Sequence, residues 1–206
     1  MIIKLCGMRD AENIREVERL GIDMMGFICW ERSPRFVAEV PAYLPKCPRV
    51  GVFVDASLDY IRQRAEAFGF SYIQLHGSES PEFCKAVREK TGCKIIKALS
   101  VSPSSSGEGL GRGLWGATLL LFDTKCPTHG GSGRKFSWDI LSGYRGPLPF
   151  LLSGGIGPED VESIRQFHHP LCLGIDINSR FELEPGIKDV EKIKTFINAI
   201  KKHEPD

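Results

Sequence analysis

No apolar run in this chain approaches the length of a membrane span. The longest is about six residues, Ala117–Phe122, with Thr118 inside it, against ~20 for a spanning helix. Neither sign of charge is in excess: 27 Lys and Arg stand against 26 Asp and Glu, a formal net charge of +1. No block of basic residues appears, which argues against a nucleic-acid partner. The opening residues Met1–Gly7 hold no basic region followed by a long apolar stretch, so no signal peptide is expected. Cysteines are present but unpaired in pattern. There are seven (Cys6, Cys29, Cys47, Cys84, Cys93, Cys126 and Cys172), an odd number with no CxxC spacing. That argues against a disulfide framework or a thiolate zinc site and fits a reducing cytoplasm. No spacing of His, Cys, Asp and Glu suggests a metal. No linker marks a second domain; Ser102–Gly113 comes nearest and is too short to separate two cores. With 206 residues, a single domain over 1–206 is expected.

What is present is 42% apolar and 26% charged residues, which excludes general disorder. Short apolar runs recur, mostly at intervals of about 21–26 residues, with one longer gap before the seventh. They are Ile2–Leu5, Met24–Ile28, Val50–Val54, Tyr72–Leu75, Lys94–Leu99, Ala117–Phe122, Phe150–Leu152 and Leu171–Ile177. Several are nearly continuous rather than alternating, which means burial on both faces, as in a parallel sheet covered by helices. Helical patterns lie between many of them. Ala11–Leu20 follows Asp10 as an N-cap, Leu58–Phe68 follows Ser57, and Glu82–Lys90 follows Ser80-Pro81. Pro158–Phe167 and Asp189–Lys201 complete the set. Val37–Leu44 has room for only a turn or two of helix. Ser102–Trp115 carries four glycines and reads mostly as loop, a degenerate helix after the fifth strand. Eight strand candidates alternating with about six helix candidates favour a closed (β/α)8 barrel over an open doubly wound sheet.

In such a barrel the reactive groups sit at the C-terminal ends of the strands. Those positions hold Cys6-Gly7, then Arg32 and Arg35, Asp55, His76-Gly77, and Asp123-Thr124-Lys125. Ser153-Gly154-Gly155 and Asp176, Asn178, Ser179 and Arg180 follow. Ser153-Gly154-Gly155-Ile156, between a strand and a helix, suits an anion, because glycines let backbone N–H groups approach it. The alternative is a tight turn and nothing more. Within the first run, Lys4 and Cys6 share a face. If the barrel closes, Asp176 comes near and is the natural partner for an interior Lys4. A cation there favours the Cys6 thiolate, unless the pair only fills the barrel floor.

Several segments carry a resemblance in the right order. They are Lys4-Leu5-Cys6-Gly7, Gly51-Val52-Phe53-Val54, Ile73-Gln74-Leu75-His76-Gly77 and Phe122-Asp123-Thr124-Lys125, then Gly130-Gly131-Ser132-Gly133-Arg134-Lys135-Phe136-Ser137-Trp138 and Leu152-Ser153-Gly154-Gly155. Together they resemble the phosphoribosylanthranilate isomerases of tryptophan biosynthesis. The resemblance implies an Amadori rearrangement of an aminoaldose by acid–base catalysis, with no cofactor and a phosphorylated small molecule as the only partner. The enzyme would be a monomer or homodimer in the cytoplasm. It implies Cys6 as general base and Asp123 as general acid, which asks for a thiol lowered toward neutrality and a carboxyl raised by burial. It implies Arg35, in Arg32-Ser33-Pro34-Arg35-Phe36, as the clamp on the anthranilate carboxylate, with Gly154, Gly155, Asn178 and Ser179 around the phosphate. His76 is either a substrate contact or a hydrogen-bonded structural residue. The chain departs from the family after the eighth strand, where Arg180 replaces a glycine; its phosphate contacts there require that Arg180 avoid positive φ. His168-His169 read as surface residues on the opposite face.

Overall fold

A computed structural model describes residues 1–101, 113, 116–124 and 138–201. Eight parallel strands close on themselves in sequence order: β1 (Ile2–Leu5), β2 (Met24–Ile28), β3 (Arg49–Phe53), β4 (Tyr72–Leu75), β5 (Lys94–Val101), β6 (Leu119–Thr124), β7 (Phe150–Leu152) and β8 (Cys172–Ile177). The expected (β/α)8 barrel is therefore present. Among the described residues six α-helices accompany it: α1 (Ala11–Glu18), α2 (Leu58–Phe68), α3 (Pro81–Thr91), α4 (Asp139–Ser142), α5 (Val161–Gln166) and α6 (Val190–Lys201). The loop expected over Ser102–Trp115 falls, apart from Gly113, outside the described residues, and so does the Gly130–Gly133 segment. Among the described residues no helix is long and apolar enough to cross a membrane.

The local rules explain the starts of the long helices. Asp10, Ser57 and Ser80 each accept a bond from the backbone N–H three residues on, at Asn13, Tyr60 and Phe83. That satisfies donors a helix start leaves orphaned. Pro81 occupies the first turn of α3, where its missing N–H costs nothing.

Alternation along each strand divides the core in two. Leu5, Phe27, Phe53, Ile73, Leu75, Leu120, Phe122 and Ile175 pack outward against the helices. Met24, Val50, Ile96, Ala98, Leu119, Leu121 and Leu151 fill the barrel interior. The charged or polar interior positions Lys4, Gln74 and Asp176 are buried in the same alternation.

The structure corrects several expectations. Val37–Leu44 forms no helix: Phe36 bridges to Ile28 as isolated β-structure, and the Arg64 guanidinium holds the carbonyls of Val37 and Ala38. The stretch expected as one helix over Pro158–Phe167 opens as a 3₁₀ turn, Pro158–Asp160, before α5. A two-stranded antiparallel ribbon after β8, β9 (Glu182–Glu184) with β10 (Ile187–Lys188), has no counterpart in the strand pattern. His168 is exposed as expected, but His169 packs its ring 5.1 Å from that of Phe150 and bonds the Tyr144 carbonyl at 3.1 Å.

The two cores give a stability contrast. Leu121 is fully buried in the interior and Leu183 is 71% exposed on the ribbon. Leu121→Ala is expected to cost about 2–5 kcal/mol through lost burial and the cavity left behind. Leu183→Ala should stay within about 0.5 kcal/mol of the parent. Urea unfolding of both variants checks this.

Candidate active site

Cys6 follows β1 and extends its ladder, donating its N–H to the Ile177 carbonyl at 2.9 Å. It is 4% exposed. Room for its sulfur comes from Gly26 on β2: a Cβ there would lie 2.9 Å from Cys6 Sγ. Burial pushes the Cys6 thiol up, against the opposing pull of Lys4 and Lys188. The expectation of a thiol lowered toward neutrality is thus corrected: two cations are present, and desolvation outweighs them.

Beneath Cys6, Lys4 and Asp176 face each other across the β1–β8 seam as register partners, with Nζ 2.8 Å from Oδ1 and no exposure of the lysine side chain. Burial alone would lower the Lys4 pKa, but Asp176 and Cys6 outweigh it and hold the ammonium form. The pair expected from strand parity is present.

Asp123 lies in β6, with 28% of its side chain exposed, so its burial is only partial. His76, at the end of β4, reaches it with Nε2 3.2 Å from Oδ2. The Gln74 amide lies 2.9 Å from His76 Nδ1. With that amide donating, Nε2 carries the imidazole proton and donates it to Asp123. The other end of Gln74, Oε1, is buried with no hydrogen-bond partner among the described residues. His76 is thus held between Gln74 and Asp123, the hydrogen-bonded alternative of its two readings. Below it, Glu79 accepts from Lys97 Nζ and from the N–H groups of Asp55 and Gly77, each at 2.9 Å. That buried carboxylate braces the loops after β3 and β4.

Arg35 turns into the mouth while Arg32 is exposed. Its guanidinium grips a single carboxylate, Glu182 on β9: Nε lies 2.9 and 3.0 Å from the two oxygens and Nη2 2.6 Å from Oε2. Among the described residues nothing engages Nη1. One edge of the guanidinium is therefore fixed by the protein and the other is open to a planar anion. Arg35 and Lys188 hold the Glu182 carboxyl below its usual range despite its burial.

After β7, Gly154 and Gly155 take φ of 94° and 70° in succession, the left-handed region that disfavours side chains. Gly155 is exposed, and a Cβ on it would meet nothing within 4 Å. Across from this loop, Ser179 opens a 3₁₀ turn and is exposed. Asn178 points its Oδ1 at Lys188 Nζ, 2.7 Å away. Arg180 avoids positive φ, as Asp55 is the only non-glycine residue with φ above zero among those described. Its Nη2 instead donates to Glu159 at 2.5 Å, tying the loop after β8 to the loop after β7.

Glu182, Lys188 and Gln74 were not among the candidates, although they contact the residues that were. The one available signal was Pro185-Gly186 between Glu182 and Lys188, a turn dipeptide that folds the ribbon back over the barrel mouth.

Comparison with known proteins adds to this geometry. The profile of the N-(5'-phosphoribosyl)anthranilate (PRA) isomerase family matches residues 3–199. An N-(5'-phosphoribosyl)anthranilate isomerase of Parabacteroides distasonis is 47% identical over 209 residues, covering 97% of this chain and 93% of that protein. Among solved structures, a phosphoribosyl anthranilate isomerase from Thermus thermophilus superposes with a TM-score of 0.79 at 29% identity, covering 97% of this chain and 98% of its own. Another phosphoribosyl anthranilate isomerase, in complex with reduced 1-(o-carboxyphenylamino)-1-deoxyribulose 5-phosphate, gives 0.75 at 29% identity, with 98% and 99% covered.

The Lys4–Asp176 pair generates a stability prediction. Lys4→Met leaves Asp176 buried without its counter-ion and is expected to cost about 3–5 kcal/mol. Lys4→Met with Asp176→Leu removes both charges and should recover most of that loss. A double-mutant cycle by urea denaturation checks it; equal instability of the single and double variants would locate the loss in packing instead.

Proposed function

The chain belongs to the N-(5'-phosphoribosyl)anthranilate isomerase family and is an isomerase, and from that premise we propose that it rearranges N-(5'-phosphoribosyl)anthranilate to 1-(2-carboxyphenylamino)-1-deoxyribulose 5-phosphate in tryptophan biosynthesis in the cytoplasm. The observation that carries this reading is the placing of a thiol and a carboxyl, Cys6 and Asp123, at the same barrel mouth. The Asp176 carboxylate is in electrostatic reach of both.

The substrate is a furanosylamine, with C1 bonded to the ring oxygen and to the anthranilate nitrogen. Asp123, protonated, gives its proton to the ring oxygen as the bond from C1 to that oxygen breaks, leaving a Schiff base between C1 and the anthranilate nitrogen. The Cys6 thiolate then takes the C2 proton; those electrons form the C1–C2 double bond of an enolamine as the C1–N π pair moves onto the anthranilate nitrogen. The enolamine relaxes to the C2 ketone as C1 takes up a proton and the C2 hydroxyl loses one. His76 orients Asp123 through its Nε2 bond. The open Nη1 edge of Arg35 receives the anthranilate carboxylate, with Glu182 holding the opposite edge. Gly154 and Gly155, with the backbone at Asn178 and Ser179, cradle the phosphate.

The substrate is fluorescent and the ring-opened product much less so, which makes loss of fluorescence the direct assay. No loss at micromolar enzyme would overturn the assignment. Cys6→Ser is expected to keep the fold and lower kcat about 10²–10⁴-fold, because a hydroxyl is a far weaker base near neutral pH. More than about a tenth of the parent kcat would remove Cys6 from the base role. Arg35→Met should raise KM for the anthranilate substrate while leaving inorganic phosphate inhibition unchanged. Equal weakening of both would place Arg35 with the phosphate.

A further inference from the structure

A buried charge cluster outside the proposed proton transfers lies against the Cys6–Gly7 backbone. The ribbon of β9 and β10 delivers Lys188 there, with Nζ 3.4 Å from where a Cβ on Gly7 would sit. No part of the Lys188 side chain is exposed. Its ammonium donates to Glu182 Oε1 and Asn178 Oδ1, both at 2.7 Å, and lies 3.4 Å from the Asn178 carbonyl. Its backbone is locked as well: Asn13 on α1 accepts from Lys188 N at 2.7 Å and donates to Lys188 O at 2.9 Å. Burying an ammonium costs several kcal/mol even after relaxation. A ribbon anchor needs no charge, since an apolar side chain would fill the same space.

The charge balance gives that ammonium a task. Lys188 does not own its counter-ion, because the Glu182 carboxylate also accepts all three bonds of Arg35. Two cations share one anion, so the cluster is net positive. Among the described residues three ionisable groups act on Cys6: Lys4 from its own strand, Asp176 from β8 and Lys188 from the ribbon. Lys4 and Asp176 pair at 2.8 Å and act on the thiol in opposite directions, so each offsets part of the other. Lys188 adds a second positive charge from outside that pair.

We propose that Lys188 is a positioning residue whose ammonium sets the ionisation of the Cys6 thiol, and with it the fraction of enzyme able to take up the C2 proton. The second half rests on Cys6 being the base; the first does not. The thiol and the ammonium affect each other reciprocally. Burial pushes Cys6 up and Lys188 draws it back, while burial lowers Lys188 and Glu182, then Cys6, oppose that.

The test is alkylation of Cys6 by iodoacetamide as a function of pH, followed by mass spectrometry of the Cys6 peptide. Circular dichroism confirms folding. In Lys188→Met the midpoint is expected to rise by about one unit or more, the usual effect of losing an opposite charge at close range. The kcat should fall about tenfold near neutral pH and recover toward the parent as pH rises. Lys188→Gln, which still has an amide to offer Glu182 and Asn178, should shift the midpoint the same way. An unchanged midpoint in both variants overturns the proposal, and so does a pH-independent loss of kcat with no shift, which would leave Lys188 a mere anchor. A shifted midpoint with an unaltered kcat profile upholds the electrostatic role and instead removes Cys6 from catalysis. In the parent chain, side-chain nitrogen NMR of Lys188 should show a step as Cys6 titrates, and Cys6→Ser should abolish it. No step in the parent overturns the proposal whether or not the variants fold.

Discussion

The register at the β1–β8 seam is the constraint on which the rest of the molecule depends. Closing the barrel sets Lys4 opposite Asp176 and Leu5 opposite Ile177, and Cys6 continues the ladder to the Ile177 carbonyl. Side chains alternate along a strand, so a slip of one residue would turn Lys4 and Cys6 out toward the helices and strand Asp176 inside alone. A buried carboxylate without its cation costs about 3–5 kcal/mol, at least as much as a large packing defect. The ion pair therefore specifies the closure, and the closure places the thiol.

Above the seam, charge is distributed in two tiers. The lower tier is neutral, with Lys4 and Asp176 paired inside the barrel. The upper tier shares one carboxylate, Glu182, between Arg35 and Lys188, and it lies over the Cys6–Gly7 turn. That sharing links the two ends of the proposed substrate site. The residue that orients the anion clamp also holds Lys188 against the Cys6–Gly7 turn. Loosening of the ribbon would thus be felt in carboxylate binding and in proton abstraction together.

The strands were legible because a buried parallel strand is a short apolar run whatever its neighbours are, and the observed bounds of all eight shift from the expected ones by no more than two residues. The long helices were legible from their caps, since Asp10, Ser57 and Ser80 act on their own next turn. Val37–Leu44, with room for only a turn or two of helix, forms none, and the carbonyls of Val37 and Ala38 are held by Arg64 from α2. The ribbon was missed because Glu182–Lys188 is short, charged and lacks an apolar face. His169 was misread because a histidine carries no signal of the aromatic cage, Tyr144 and Phe150, that it enters.

By itself the sequence determined the barrel, the inward parity of Lys4 and Cys6, and the presence of Cys6, Asp123, Arg35 and the Gly154-Gly155 turn at strand ends. These follow from periodicity and from neighbours a few residues away. The tertiary structure alone decided which partner each charge found: His76 for Asp123, Glu182 for Arg35, Lys188 beside Cys6. It also decided the direction in which the Cys6 thiol is shifted. Desolvation and Coulomb attraction act through distances in space. The residues that set those distances for Cys6 come from β8 and from a ribbon at the far end of the chain, and no spacing along the sequence records how closely they approach.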